Sequence, residues 1–226
     1  AVTLAALLAT ESGADPVLVV TPADQTVTDD AAFTQALQAA ARSAAAGGIV
    51  ILGIRPERPE TGFGYIEADA SGAAPYIVQR FVEKPDLATA QGYLAQGRFF
   101  WNSGMFVMRA SVWLAALDAF RRDIADATRA AWRARTADAP FVRPGRAEFE
   151  AIPAESVDYA VMEKCPGTDL DIRMVELAAG WNDLGAWEAV WQVAEKDAQG
   201  NAAVGDAIVS DSHNTLVHAT SRLVSV

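Results

Sequence analysis

Glu83, Lys84 and Asn102 are residues of this 226-residue chain whose types and spacing suggest chemistry. All three lie in residues 81–108, FVEKPDLATAQGYLAQGRFFWNSGMFVM. A lysine fixed at a strand end is a good anchor for a phosphate. A glutamate and an asparagine beside it could take the hydroxyls of a sugar. Pro85 restricts Lys84 to an extended backbone, so residues 82–84 read as the end of a strand. Glu83 and Lys84 then point to opposite faces unless the strand bends. A surface charge pair and a buried turn asparagine would leave the same local pattern, because short motifs discriminate weakly.

Two aspartates form a second set. Asp24 follows the apolar run VLVVT (17–21), which is bounded by Pro16 and Pro22. Ligands of open α/β sheets bind beyond the carboxyl ends of strands, so Asp24 stands where a metal or nucleotide would be met; a turn cap is the alternative. Asp183 sits in the Gly- and Trp-rich loop AGWNDLGAW (179–187). It either caps the helix 187–196 or supplies a second carboxylate to a metal. Gly62 and Gly64, in a Pro- and Gly-rich loop, would let backbone amides approach a ligand, or merely turn the chain. Asp158, in the first turn of a helix 155–164 begun by Ser156, complements the helix dipole. Tyr159, Val161 and Met162 of that helix read as mostly inward.

The elements that must position these residues follow from pattern. Residues 17–21 and 49–54 (IVILGI) are short continuous apolar runs, as in strands buried on both faces. Between them an Ala-rich helix starts at Asp29 or Asp30 and closes at Gly47-Gly48. Strand–helix–strand order predicts parallel pairing through a helical crossover. Residues 64–68 and 76–82 read as two strands joined by a polar turn. Asp86 caps and Gly97 ends the helix between the two halves of the central stretch. Helices are expected over 110–120 and 124–135, with Trp113 and Trp132 packing and the arginines of 121–135 on a solvated face. Residues 171–177 read as a strand. From residue 198 short β-prone pieces follow at 207–209, 216–218 and 223–226, so the chain divides into 1–197 and 198–226.

Composition bounds the function. A formal net charge of -11 argues against nucleic-acid and anionic-membrane surfaces, which call for a basic patch. No run is long and apolar enough to span a bilayer. The lone Cys165 excludes an intrachain disulfide and points to a reducing cytoplasm.

Six motifs in order, PADQ (22–25), PETGFGYIE (59–67), FVEKPD (81–86), WNSGMF (101–106), SVDYAVMEK (156–164) and AGWNDLGAWEAVW (179–191), resemble the bacterial mannose-1-phosphate guanylyltransferases among the sugar nucleotidyltransferases. The resemblance implies an α/β fold with a doubly wound, mainly parallel, Rossmann-like sheet over 1–197 and a short β-rich C-terminal extension over 198–226. It implies that Asp24 and Asp183 hold Mg²⁺ or another divalent cation. Lys84 would face the phosphate of the sugar 1-phosphate, Glu83 and Asn102 the mannose hydroxyls, and the Gly64 amide the sugar. Asp158 and Lys164 would lie on the substrate side. The implied reaction is attack of mannose 1-phosphate on the α-phosphorus of GTP, giving GDP-mannose and pyrophosphate in the cytoplasm, with a homodimer as one assembly. It needs no protein nucleophile, only alignment and charge neutralisation.

Two departures from the family are visible. Gln25 stands where the family commonly has His, and the N-terminal strand and Gly-rich loop that hold the triphosphate lie outside this chain. These 226 residues are therefore expected not to make GDP-mannose by themselves. Transfer to another sugar 1-phosphate, such as glucose 1-phosphate, and a non-catalytic regulatory role are the alternatives. Intact Asp24, Lys84 and Asp183 speak against the latter.

Overall fold

The computed structural model describes all 226 residues and divides into two compact units, residues 1–22 with 29–179, and residues 23–28 with 180–226. In the first unit α1 (Val2–Thr10) leads into β1 (Val17–Val20), and α2 (Asp30–Ala45) returns the chain to β2 (Ile49–Ile54). Asp29 caps α2, its Oδ1 accepting the Ala32 N–H at 2.9 Å. All six residues of β2 are buried, as its unbroken apolar run predicts. The hairpin β3 (Tyr65–Ala68) and β4 (Tyr76–Val82) and the helix α3 (Leu87–Gln96) form where expected. Asp86 accepts the Thr89 N–H at 2.8 Å, and Gly97 ends α3 at φ 68°, a left-handed backbone that suits glycine.

Next come the eleven-residue strand β5 (Phe99–Arg109) and the helices α4 (Ala110–Phe120) and α5 (Arg122–Arg133). A small hairpin of β6 (Thr136–Asp138) and β7 (Phe141–Arg143) leads to α6 (Arg146–Glu150). After it α7 (Val157–Ala160), a 3-10 turn (Met162–Lys164) and β8 (Ile172–Glu176) complete the unit. The core joins Ile49, Ile51, Ile66, Phe100, Met108 and Met174 to Trp113 and Leu117 of α4. Trp113 is a packing residue, as expected, and its Nε1–H donates to Thr3 Oγ1 at 3.0 Å.

The sheet corrects the expectation of a mainly parallel one. Its order is β1-β5-β2-β8-β4-β3, with β3 also paired to β5, so that five strands close on themselves. Only β2 and β8 pair in parallel. β1 and β2 point the same way, as a helical crossover requires, yet β5 lies between them, antiparallel to both. The cause is the length of β5. Along one edge it pairs first with β3 (Trp101 opposite Tyr65) and then with β1 (Phe106 opposite Val20), and β2 takes the other edge (Ile54 opposite Trp101).

The helix expected over 155–164 is also broken. Val161, at φ -133° and ψ -57°, separates α7 from the 3-10 turn. Val161 and Met162 are fully buried, whereas Tyr159, expected inward, is exposed.

In the second unit Thr26 bridges to Asn182, with N–H···O bonds of 3.0 Å in both directions. Beyond it come α8 (Trp187–Val193) and the parallel pair β9 (Ala202–Ile208) and β10 (Leu216–Ser225). The register of this pair shifts between Ala219 and Val224, which explains why β10 reads as two short pieces in the sequence.

Gly53, in the middle of β2, makes the close packing of β2 testable. A Cβ there would fall 2.1 Å from Met174 Sδ and 3.2 Å from Phe100 Cβ, both on buried side chains. Gly53→Ala is expected to destabilise the protein by about 1–3 kcal/mol, read as a lower urea midpoint at unchanged m-value.

Candidate functional site

In the first unit the candidate site forms where the turn after β4, the loop before β3 and the middle of β5 meet. Asn102 N–H donates to Gly64 O at 2.7 Å, and Lys84 N–H donates to Phe63 O at 3.2 Å. The second bond accompanies a correction. Lys84 is not extended; it has φ 49°, in the left-handed region. The carbonyl of Phe63 holds the amide in this turn against the preference that Pro85 imposes. Such a conformation costs a non-glycine residue about 1–3 kcal/mol and concentrates at functional sites. The turn also removes the opposite-face arrangement of Glu83 and Lys84, since Lys84 Nζ lies 3.9 Å from Glu83 Oε1.

The Glu83 side chain is 10% exposed, and its Oε2 is buried without a hydrogen-bond partner. Gly64 makes room for it. A Cβ on Gly64 would lie 2.4 Å from Glu83 Oε2 and 3.2 Å from Asn102 Cβ. Asn102 is pinned at both ends of its amide, its Oδ1 accepting the Gly104 N–H at 2.9 Å and its Nδ2 donating to Asp158 Oδ1 at 2.8 Å. One Asn102 N–H is left over. Asp158 therefore does more than complement a helix dipole. Ser103 anchors the strand beneath, its hydroxyl donating to Leu52 O at 2.7 Å.

Glu163 also enters this cluster, because its Oε1 accepts the Glu83 N–H at 3.4 Å. Sequence reasoning passed over it, although it lies inside the quoted motif 156–164. Lys164 is exposed at the end of the same turn and joins none of these hydrogen bonds. The only other buried side-chain polar atom without a partner is Trp101 Nε1, one residue before Asn102. Native proteins leave few such groups, and Glu83 Oε2 is the one that lies against Gly64 and Asn102.

The second unit holds Asp24 and Asp183. The Thr26–Asn182 bridge sets the segments carrying them side by side, and Trp181 Nε1–H donates to Gln25 Oε1 at 2.8 Å. Gln25, the departure from the family pattern, thus fastens this loop. Asp183 does not cap α8, whose N-cap is Ala186 with no side-chain bond. Its Oδ2 instead lies over Gly185, 2.6 Å from where a Cβ would stand. No lysine or arginine pairs with either aspartate, and no third His, Cys, Asp or Glu completes a metal cluster with them. Mg²⁺ is usually held by one or two carboxylates together with substrate phosphates, and an aspartate carboxylate is the ligand type it takes.

Residues 1–200 match the family model described as Nucleotidyl transferase. The chain belongs to that family. It is 50% identical over 226 residues to the xanthan biosynthesis protein XanB of Xanthomonas campestris, covering all of this chain and 47% of that protein. It is 44% identical over 229 residues to a mannose-1-phosphate guanylyltransferase of Klebsiella pneumoniae, covering 100% of this chain and 48% of that one. The crystal structure of mannose-1-phosphate geranyltransferase from Thermus thermophilus superposes with a TM-score of 0.85 at 31% identity, over 100% of this chain and 64% of that one. The chain spans about half the length of the curated relatives it matches.

In this nucleotidyl transferase the carboxylates of the first unit are electrostatically unusual. Burial, then the charge of Asp158, push Glu83 up to about 7; Lys84 pulls it down and Glu163 pushes it up further. Burial also raises Asp158, against the hydrogen bond from Asn102. A carboxyl raised in the folded state binds its proton more tightly there than in the unfolded chain. Its stabilisation is complete below the ordinary glutamate range and is lost as pH rises through about 7. Between pH 5 and 8 the wild type is expected to lose about 1–3 kcal/mol of stability relative to Glu83→Gln, measured by urea unfolding at each pH. Parallel pH profiles would show that Glu83 is an ordinary surface carboxylate.

Proposed function

We propose that this chain carries the sugar-phosphate subsite of an enzyme that transfers GMP from GTP to mannose 1-phosphate, giving GDP-mannose and pyrophosphate. The observation that carries the reading is the buried, unpartnered Glu83 Oε2 beside a pinned amide and a lysine. A buried acceptor of this kind calls for a ligand that brings its own donors, and a sugar has them. The names of relatives at 44% identity support the choice of mannose 1-phosphate and of the guanylyl group.

In this reading a mannose hydroxyl donates to Glu83 Oε2, and another accepts the remaining N–H of Asn102. Asp158 keeps that amide turned toward the sugar, and the missing side chain of Gly64 keeps the Glu83 carboxylate in place. Lys84, whose side chain is 59% exposed, reaches the phosphate, and Lys164 stays on the substrate side. An oxygen of the sugar phosphate attacks the α-phosphorus of GTP, a new O–P bond forms, and the bond to the β-phosphate oxygen breaks as pyrophosphate leaves. The attacking oxygen is already anionic, so no side chain has to take its proton. Asp24 and Asp183 would hold Mg²⁺ or another divalent cation, which when bound offsets charge on the triphosphate.

Lys84→Ala tests the assignment, in the full-length protein that contains this chain. Loss of one charge-assisted hydrogen bond, worth roughly 1.5–3 kcal/mol, should lower kcat/KM for mannose 1-phosphate about ten- to a hundredfold at unchanged Tm. Glucose 1-phosphate serves as the competing substrate. Wild-type activity in the variant would return Lys84 to the surface.

A further inference from the structure

The sugar-phosphate subsite holds more negative charge than an anionic ligand should tolerate. Lys84 faces Glu83 from its own turn, Asp158 faces it from α7, and Glu163 from the 3-10 turn; β5 and the loop before β3 contribute only the neutral Asn102 and Gly64. Three carboxylates thus share one ammonium. That ammonium cannot remain the counter-charge of Glu83 and also serve a phosphate. When Lys84 turns to the ligand, Glu83 loses its single cation, and a further anion arrives nearby. A carboxylate that is nine-tenths buried, with two further carboxylates and now a phosphate beside it, is poorly able to keep its charge in that situation even with a sugar hydroxyl on Oε2.

We propose that binding of the sugar phosphate is coupled to uptake of one proton by the Glu83–Asp158 pair, and that Glu163 is the positioning residue that sets the pH of this uptake. The inference rests on the sugar-phosphate reading of the subsite given above. The proton comes from solvent and is held on a carboxyl oxygen of the pair, with no other bond made or broken. A protonated Glu83 still offers the sugar an acceptor oxygen and gains one O–H donor. Glu163 acts in two ways, holding the Glu83 backbone through its N–H and adding a negative charge that favours the protonated pair. The value of about 7 to which Glu83 is already raised agrees with this, because the pair then stands at the edge of protonation near neutral pH.

The test is calorimetric titration of this chain with mannose 1-phosphate at pH 6, 7 and 8, in buffers of different ionisation enthalpy. The wild type should take up about half a proton more than Glu83→Gln near pH 7, with the ligand's own titration cancelling in the comparison. Its affinity should weaken relative to that of Glu83→Gln as pH rises to 8. Glu163→Gln should move the uptake maximum to lower pH, and Glu163→Asp should restore it; a merely structural Glu163 would weaken binding equally at every pH. Equal proton counts in the wild type and Glu83→Gln, or net release by the wild type, would overturn the coupling and leave the sugar-phosphate subsite standing. Failure of the wild type to bind mannose 1-phosphate at any pH would overturn the subsite itself, and the coupling with it.

Discussion

The hydrogen bond from Asn102 N–H to Gly64 O, at 2.7 Å, ties the middle of β5 to the loop that enters β3. Much of the first unit depends on this junction. It continues the β3–β5 pairing that closes the sheet, and it sets Gly64 against Asn102 and the Glu83 carboxylate. The same loop supplies Phe63 O, which turns Lys84 into its left-handed conformation. Backbone pairing thus fixes where three functional side chains begin, before any of them meets another.

What those side chains do is electrostatically unfavourable for the folded chain. An unpartnered buried carboxylate, a left-handed lysine before proline and three acidic groups around one ammonium each oppose folding. The closed sheet offsets them. β2 is wholly buried, and Phe100, Phe106, Met108 and Met174 pack with it into one core. A rigid support of this kind is what lets an active site keep groups in states they would not choose alone. The two aspartates of the second unit are held differently, by a short backbone bridge and the Trp181–Gln25 bond.

Local chemistry was legible in the sequence, and long-range geometry was not. The caps Asp29, Asp86 and Gly97, the β3–β4 hairpin and the buried β2 all follow from residues within a few positions of one another. The mixed order of the sheet does not, because it depends on β5 pairing with three strands far away in the chain, and FFWNSGMFVM carries no period that separates strand from buried turn. Lys84 was misread because the rule for residues before proline is local, while the carbonyl that overrides it belongs to Phe63. Glu163 was missed because of the break at Val161. On one continuous helix residues 158 and 163 would stand about 140° apart, whereas the break brings both toward Glu83. The motifs themselves were informative. Glu83, Asn102, Asp158 and Gly64 come from four of them or their edges and meet in one cluster.

The central claim is that the unpartnered oxygen of Glu83 awaits a sugar hydroxyl. A crystal structure of this chain soaked with mannose 1-phosphate tests it most directly. The account places a mannose hydroxyl within about 2.5–3.0 Å of Glu83 Oε2, a second polar sugar atom on Asn102 Nδ2, and the phosphate on Lys84 Nζ. A bound sugar phosphate that leaves Glu83 Oε2 unpartnered, or that lies away from Asn102 and Lys84, would contradict it.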